Sequence, residues 1–324
     1  MCPIDQFLSD KFKKNDESIT HIVHEGPLKH GAYHLNYDET IKLYKLVNKE
    51  LIKGNKVTLL ERFNKVCPLM IDLDFKYKNK YTDRQYTNDY LKQLYLFLCD
   101  KINNLFTYED SSKLQMWIME KDNIVEAPQN GYESKDGIHL LFPSLVSDID
   151  NYNKLMDLII DNSEEYEKLV SDTCLVKPSN SVKEIFDKSL YRPGNWFIYG
   201  CGKVNEDFTY KLTNIFKLTE ENTIKELDIE PFLDNPLEII KKNSVQINTE
   251  KTVEYIGPEI FKENTSNNNV NMTSVGDSYT FVNVDNQNRL TKELRLDVER
   301  LVNILSVERA SDHSSWVEVG YCLH

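Results

Sequence analysis

The stretch "CPLMIDLDFKY", from Cys67 to Tyr77, decides the fold class because it sets two carboxylates into an otherwise apolar strand. Successive side chains of a strand point to opposite faces, so Leu73 faces one side while Asp72 and Asp74 face the other. Their Cα atoms would lie about 6.6 Å apart, which lets both carboxylates reach one metal ion or two neighbouring ions. The alternative is a half-exposed strand whose polar face carries two acids, since so short a motif is common by chance.

The composition is that of a globular chain that works inside a cell. Its 324 residues are 40% hydrophobic, and they include neither a run of about eighteen apolar residues nor the basic and apolar start of a signal peptide. The six cysteines form no CxxC pair, which favours reduced thiols and argues against a cysteine-based zinc site. We therefore expect an intracellular protein without a membrane segment.

The charge of the chain is unevenly distributed. A formal net charge of −13 argues against a protein that grips nucleic acid with its whole surface, because such proteins show a basic footprint. Residues 218–240 are strongly acidic, whereas residues 181–217 are mildly basic. A basic groove on an acidic body would bind nucleic acid weakly and in a salt-sensitive manner.

Helices alternate with strands over the first 240 residues. The spacing of apolar residues predicts a helix over 38–53, with Asp38 as its N-cap. Residues 56–63 are rich in strand formers, and we expect them to pair beside the opening strand. The remaining predicted elements are helices over 88–105 and 149–170 and strands over 113–120, 138–143 and 195–200, the second of these ended by Pro143. The alternation indicates an α/β or α+β domain.

A change of composition near residue 240 divides the chain into three parts. Residues 1–240 are predicted to form the catalytic domain. Residues 241–290 are expected to be a linker, disordered in part, because much of the segment is polar and lacks periodicity. Residues 291–324 regain helical spacing and predict the start of a helical connecting domain. They end without a capping residue, which is typical of a truncated chain.

Two later segments could complete a site with the aspartates. In "SKDGIHLLFP", His139 opens an apolar strand, and Lys135 and Gly137 precede it. The glycine would let a phosphate approach the backbone closely, although a lone histidine can also be purely structural. In "IFDKSLYRP", Asp187 could supply a third metal carboxylate or cap a helix or turn.

Two further basic residues have ambiguous roles. Lys203, in "NWFIYGCGKVN", follows two glycines without the spacing of GxxxxGK[ST], so we exclude a P-loop here. The lysine could act as a point charge on a phosphate or be an ordinary hairpin lysine. Arg62 precedes the DxD strand and could bind a triphosphate or form a surface ion pair.

Taken together, these residues match a two-metal phosphoryl-transfer site. Three carboxylates would hold two divalent ions, one activating the attacking hydroxyl and the other neutralising the leaving pyrophosphate. The ions would also relieve the mutual repulsion of adjacent carboxylates. Two alternatives stay open: a metal-dependent nuclease that uses the same acids, and a non-catalytic nucleic-acid-binding module that carries them as surface residues.

The order of "LMIDLDFKY", "KDGIHLLFP" and "FDKSLYRPGNWFIYGCGK" resembles the three motifs of the archaeo-eukaryotic primase (primase-polymerase) superfamily. Those motifs are a DxD or DxE strand, an SxH strand and a later Asp. The likeness is strongest to the primase half of the primase-helicases of nucleocytoplasmic large DNA viruses, including giant viruses. It extends to about residue 216 and resumes at "RASDHSSWVEVGYCLH". The resemblance implies a catalytic core with an RRM-like sheet, followed by a C-terminal helical segment.

The resemblance also implies an activity, that of a DNA primase or primase-polymerase. Such an enzyme is a nucleotidyltransferase that makes or extends primers on a single-stranded DNA template, using NTPs or dNTPs with Mg²⁺ or Mn²⁺. It further implies a helicase C-terminal to the primase in the same longer chain. The expected location is the viral replication site in the host cytoplasm.

The resemblance assigns roles to individual residues of this chain. The matching metal carboxylates are Asp72, Asp74 and Asp187. The matching nucleotide-binding residues are His139, Lys203, Lys135 and, by position alone, Arg62. Two features depart from the family pattern. Gly137 stands where many members have Ser, which removes a hydroxyl contact to phosphate, and the chain lacks the cysteine cluster of the family's common zinc site.

Overall fold

The computed structural model describes residues 2–13, 18–24, 26–191, 194–203, 209–219 and 221–257. Within these ranges the helices are α1 (Pro3–Leu8), α2 (Tyr37–Ile52), α3 (Asn88–Asn103), α4 (Ile149–Asp161), α5 (Ser163–Thr173), α6 (Val182–Ile185), α7 (Glu230–Leu233) and α8 (Pro236–Lys242). The strands are β1 (Phe12–Lys13), β2 (His21–Val23), β3 (Gly31–Tyr33), β4 (Leu60–Arg62), β5 (Val66–Tyr77), β6 (Phe106–Thr107), β7 (Met116–Glu120), β8 (Val125–Gln129), β9 (Tyr132–Asp148), β10 (Asn195–Phe197), β11 (Lys211–Leu218), β12 (Ile224–Glu226) and β13 (Glu254–Tyr255). Two short 3₁₀ helices occupy Ser111–Leu114 and Lys188–Tyr191.

The strands form three antiparallel sheets. The main sheet has the order β12-β11-β7-β9-β5, with β8 paired to the first part of β9. A smaller sheet has the order β1-β3-β2-β4-β10, and β13 pairs with β6. The pairing of β5 with β9 is the longest in the main sheet. It runs from Val66 opposite Asp148 to Tyr77 opposite Ser134.

The apolar face of the main sheet packs against helices. Helix α3 begins at its N-cap Thr87, whose hydroxyl accepts a hydrogen bond from the Tyr90 amide. Buried residues recur along this helix at the three- and four-residue spacing of one helical face, including Leu94 and Leu98. On β5, Phe75 meets the ring of Tyr90 edge-on at 6.0 Å between centroids. This packing leaves the opposite face of the sheet, with the acids of β5, turned away from the helices.

The order of elements agrees with the predicted fold class. Along the chain, β5, α3, β7, β9, α4 and β11 occur in the order β-α-β-β-α-β, which is the element order of ferredoxin-like folds, with further elements inserted between them. All of these strands join one antiparallel sheet. The predicted α+β class, with helices packed against antiparallel sheets, is therefore confirmed.

The predicted helix over 38–53 is present as α2, but its predicted N-cap was wrong. Asn36, not Asp38, caps the helix: its side chain accepts from the Glu39 amide, and the Glu39 carboxylate accepts from the Asn36 amide, both at 3.0 Å. This capping box satisfies two backbone donors at once, which a cap at Asp38 would leave unpaired. Helix α2 covers the smaller sheet, where Leu43 and Val47 are fully buried.

The predicted pairing of residues 56–63 beside the opening strand was wrong. The strand of this segment, β4, pairs with β2 and β10 in the smaller sheet. Strand β5 instead lies at the edge of the main sheet, with β9 as its strand neighbour. The short connection between β4 and β5 therefore crosses from one sheet to the other and does not form a hairpin.

Two further predicted boundaries differ from the structure. Pro143 does not end its strand, because β9 continues to Asp148 through an irregularity at which Pro68 lies opposite Val146 and Leu69 lies opposite Phe142. The missing N–H of Pro143 falls in this bulge, where no ladder hydrogen bond is lost. The predicted helix over 149–170 is divided into α4 and α5, which meet at Asn162.

The folded unit extends beyond the predicted boundary at residue 240. That position lies inside α8, and the Val245 amide donates to the buried carboxylate of Glu61 at 2.8 Å. Strand β13 then pairs with β6. The later part of the predicted linker and the predicted helical segment 291–324 lie outside the described residues. None of the helices in the described part of the chain is long and apolar enough to cross a membrane.

Candidate active site

The alternation of β5 places both acids of the opening motif on one face, as predicted. Ile71 and Leu73 are buried, whereas the side chains of Asp72 and Asp74 are 23% and 22% exposed. The register of β5 with β9 sets Asp72 directly opposite His139 and Asp74 opposite Gly137. The first two sequence motifs therefore meet as neighbours across one strand pair.

Asp187 joins the two acids through a backbone connection at the sheet edge. Phe186 forms an antiparallel bridge with Leu73, and the Asp187 amide donates to the Asp72 carbonyl at 3.0 Å. One carboxylate oxygen of Asp187 accepts from the Ser189 amide at 2.9 Å. Asp187 thus caps the following turn, the role that its alternative interpretation gave it, and also stands beside the DxD strand.

A cleft of about 400 Å³ opens over this face of the sheet. Six of the seven predicted site residues line it: Asp72, Asp74, Asp187, Lys135, His139 and Lys203. Arg62 is not among the lining residues. It lies on β4 opposite Asn195, which is a lining residue. The structure therefore brings the three motifs together and leaves Arg62 behind them in the smaller sheet.

Two basic side chains contact the acids directly. The Lys135 ammonium lies 2.9 Å from Asp74 Oδ1, and His139 Nε2 lies 3.5 Å from Asp72 Oδ1. Burial, together with the positive charges of Lys121 and Lys135, holds the pKa of His139 well below its usual value. The imidazole is therefore neutral at neutral pH, so it can take part in hydrogen bonding but adds no positive charge to the site.

The ring of His139 is fixed between two aromatic side chains. Tyr210 stacks on it with 3.4 Å between centroids and 15° between planes, and Trp196 packs at 4.4 Å and 38°. Trp196 is held in turn by a hydrogen bond from its indole N–H to Asn243 Oδ1 at 3.2 Å. Because the stacked rings leave the imidazole little freedom, His139 presents its nitrogens in one orientation.

Asp72 has two properties that suit a metal ligand, a raised pKa and a buried oxygen atom. Burial, with the charges of Asp74 and Asp187, raises the pKa of the Asp72 carboxyl to about 7, although Lys135 and Lys121 partly oppose this shift. Its Oδ1 is buried and accepts no hydrogen bond from the part of the chain that the structure describes. Such an atom normally has a partner, and hard divalent cations take carboxylate oxygens as ligands.

The three acids are not positioned to bind a metal ion without some rearrangement. Within the described residues, no three acid, histidine or cysteine side chains are grouped closely enough to hold an ion as they stand. The orphaned oxygen of Asp72 nevertheless fits a cation, and Asp74 and Asp187 lie beside it. A bound ion would compete with Lys135 for Asp74, so we expect these side chains to adjust when it binds.

A network behind the cleft was not predicted as part of the site. Arg84 donates from Nη1 to Glu120 at 2.6 Å, from Nε to the fully buried Asp136 at 3.1 Å, and from Nη2 to the Lys121 carbonyl at 2.6 Å. Asp136 in turn accepts from the Gly137 amide at 2.8 Å. Through these hydrogen bonds the network holds the backbone at Lys121 and at Gly137.

Two residues of the cleft were also missed, Lys121 and Tyr210. Lys121 directly follows β7, two residues after Met119, which lies opposite His139. Continued alternation past the predicted strand end at Glu120 is the one sequence signal that could have indicated it. Tyr210 carries no comparable signal, because its place depends on the path of the chain between β10 and β11.

Comparisons with known proteins agree with this arrangement. A family described as the C962R protein N-terminal AEP domain matches residues 20–216 of this chain. The match includes all three motifs and the strands that carry them. AEP stands for archaeo-eukaryotic primase, the superfamily that the sequence motifs resemble.

Two viral proteins are similar over nearly the whole chain. The "Putative helicase L207/L206" of Acanthamoeba polyphaga mimivirus is 22% identical over 334 residues, which cover 96% of this chain and 33% of that protein. The "Putative helicase 184R" of Invertebrate iridescent virus 6 is 24% identical over 324 residues, which cover 90% of this chain and 32% of that protein. The chain thus spans about a third of the length of these curated relatives. Since the family match covers more than half of its residues, this chain belongs to the C962R-type AEP domains, the archaeo-eukaryotic primases.

Proposed function

We propose that this chain is a DNA primase or primase-polymerase, a nucleotidyltransferase that adds nucleotides to a primer on a single-stranded DNA template. The observation that carries the proposal is the convergence of Asp72, Asp74 and Asp187 with His139 and lysine side chains in one cleft. Acids that could hold metal ions stand beside donors that could hold phosphates, which is the pairing that phosphoryl transfer requires.

The three carboxylates would hold Mg²⁺ or Mn²⁺. Bound there, the ions would supply the activation of the attacking hydroxyl and the neutralisation of the leaving pyrophosphate. Neutral His139 would donate a hydrogen bond to a phosphate oxygen of the incoming NTP or dNTP. Lys135 and Lys203 would add positive charge, and the stacking of His139 would keep its orientation before the nucleotide arrives. We also propose a substrate contact for Arg62, which does not line the cleft itself but lies opposite Asn195, a residue that does.

The wider assignment follows from the relatives. Both are named as helicases and are about three times as long as this chain, so we propose a helicase in the same longer chain. A primase joined to a helicase would meet its single-stranded template where the duplex is opened. We accordingly propose action at the viral replication site in the host cytoplasm.

The raised pKa of Asp72 predicts that metal binding depends on pH. Asp72 takes up a proton as the pH falls through about 7, whereas the metal needs the ionised form. We expect the affinity for Mn²⁺ to be about tenfold lower at pH 6 than at pH 8, because one proton must be released. Calorimetric titration of the isolated chain measures this directly. The matched control is Asp161→Asn, which removes an exposed carboxylate at the end of α4. Equal affinity at both pH values would contradict the assignment of Asp72 as a ligand.

Primer length distinguishes the proposed activity from that of a nuclease. A labelled primer annealed to a longer template should lengthen when the chain is incubated with Mn²⁺ or Mg²⁺ and dNTPs or NTPs. A nuclease built on the same acids would shorten the strand, and a non-catalytic module would leave its length unchanged. Either of these results would exclude the proposed transferase activity.

A further inference from the structure

Two rows of side chains cross the exposed face of the main sheet. Met119 of β7 pairs with His139 of β9, which pairs with Asp72 of β5. The neighbouring row is set by Gly137 opposite Asp74, and on the β7 side it reaches Lys121, two residues beyond Met119 and so on the same face. In this row Gly137 therefore lies between a cationic residue, Lys121, and a carboxylate, Asp74.

The glycine leaves a gap that a tyrosine hydroxyl occupies. A Cβ atom at position 137 would lie 2.6 Å from Tyr210 Oη and 3.1 Å from the Leu73 carbonyl oxygen. The same point is 3.5 Å from Lys121 Nζ. Because real Cβ atoms do not approach oxygen so closely, any larger residue at position 137 would displace the hydroxyl. Only glycine allows the hydroxyl and the ammonium to converge over this part of the strand.

Both groups are held in place by their surroundings. The Tyr210 ring stacks on His139, and Lys121 Nζ lies 5.2 Å from the centroid of the same ring, a cation–π distance. Lys121 is only 6% exposed, and it is among the residues that line the cleft. Its carbonyl is fixed by Arg84.

We propose that Lys121 Nζ and Tyr210 Oη form a phosphate subsite over Gly137 that binds the triphosphate of the incoming nucleotide. The subsite lies about one interstrand spacing, roughly 5 Å, from Asp74, so one triphosphate could contact the metal-binding acids and both donors. The Tyr210 hydroxyl supplies a hydrogen-bond donor that Gly137 cannot. This inference rests on the proposed function, because it names the substrate group that the cleft holds.

Binding of inorganic tripolyphosphate in metal-free buffer tests the subsite without relying on catalysis. We expect Lys121→Met to weaken binding about tenfold or more, because a charge-assisted hydrogen bond is lost. Tyr210→Phe keeps the stacked ring and should weaken binding about threefold to tenfold. Lys225→Met, which removes an exposed lysine of β12, controls for the loss of one positive charge and should bind as wild type does. Wild-type binding by Tyr210→Phe and by folded Lys121→Met would overturn the proposal.

Substitution of the glycine provides a second test that does not require changing the lysine. Gly137→Ala should displace the hydroxyl of Tyr210 and weaken tripolyphosphate binding to the same extent as Tyr210→Phe. The two changes remove one interaction, so the double variant should bind no more weakly than either single variant. Fully additive losses would show that the two residues act separately, and would contradict the shared subsite.

Kinetics separate a failure of this inference from a failure of the proposed function. If the wild type extends primers, Lys121→Met should raise the KM for dNTP more than it lowers kcat. Unchanged KM with an active wild type would reject the subsite alone. Tripolyphosphate binding that depends on Lys121, in a chain that never extends a primer, would reject the transferase and retain the subsite.

Discussion

We expect the double variant Asp72→Asn/Asp74→Asn to lose nucleotide incorporation by at least about 10³-fold while remaining folded. Asparagine keeps the shape of each side chain but removes the charge that would hold a divalent ion. Asp72 and Asp74 line the same cleft, and a buried oxygen of Asp72 accepts no hydrogen bond from the described residues. The loss should therefore come from metal binding and not from disturbed packing.

The same variant should be about as stable as the wild type at neutral pH. The pKa of Asp72 is raised to about 7, so the folded state binds a proton that the unfolded state releases above about pH 4. Ionised Asp72 therefore destabilises the fold as the pH rises toward 7, and asparagine removes this effect. The change also removes the partly exposed contact of Asp74 with Lys135, which is worth at most about 1 kcal/mol, so we expect no net loss of stability at neutral pH.

Thermal unfolding with and without Mn²⁺ connects the two expectations. Mn²⁺ should raise the unfolding temperature of the wild type and leave that of the double variant unchanged, because only a bound ligand stabilises the folded state. A double variant that incorporates nucleotides at the wild-type rate would remove these acids from the mechanism.

Arg84→Met should produce the largest loss of stability of any single change in the cleft region. Arg84 neutralises two carboxylates that are almost entirely buried, Glu120 and Asp136. Removing it takes away the cationic partner that the described residues provide for these charges, in a medium that solvates them poorly. Because the Arg84 side chain itself is partly exposed, we expect a loss near the lower end of the range for buried pairs, about 3 kcal/mol.

Chemical denaturation at neutral pH measures this loss. The matched control is Lys177→Met, which breaks the exposed pair of Lys177 with Glu167 and should cost less than about 1 kcal/mol. Equal effects of the two substitutions would show that the buried network contributes no more than a surface ion pair. In that case it would not account for the fixed backbone beside Lys121 and Gly137.

The alternation of the opening motif was sufficient to predict which way its acids point, but not what they would meet. Alternation is a local property of a strand, and it placed Asp72 and Asp74 on one face. The register that sets Asp72 against His139 depends on the pairing of strands about 67 positions apart along the chain. In the sequence, two things relate them: their combined chemistry, which matches a two-metal site, and the order of the motifs, which resembles that of a family.

Asp187 shows why a single residue could not be assigned from the sequence. Its two interpretations, turn cap and metal carboxylate, are compatible in the structure, because the residue caps the following turn and hydrogen-bonds to the backbone of Asp72. Arg62 shows that closeness along the chain does not place two residues in the same sheet. Its position just before the DxD strand suggested proximity, but the chain changes sheets between them.

The residues that the sequence did not indicate owe their places to long-range packing. Arg84 meets Glu120 and Asp136 across separations of 36 and 52 residues, and no periodic pattern relates them. Gly137 was noted as a departure that removes a hydroxyl. The structure shows that a hydroxyl from Tyr210 occupies that space, a compensation between residues more than seventy positions apart.

We propose that this cleft carries out template-directed nucleotide transfer. The most direct measurement supplies one nucleotide at a time, with Mn²⁺, to a primer on templates that differ only in the next base. The wild type should incorporate the nucleotide complementary to each template base, and Asp72→Asn/Asp74→Asn should incorporate none. Incorporation that ignores the template base, or that persists in the double variant, would contradict the account.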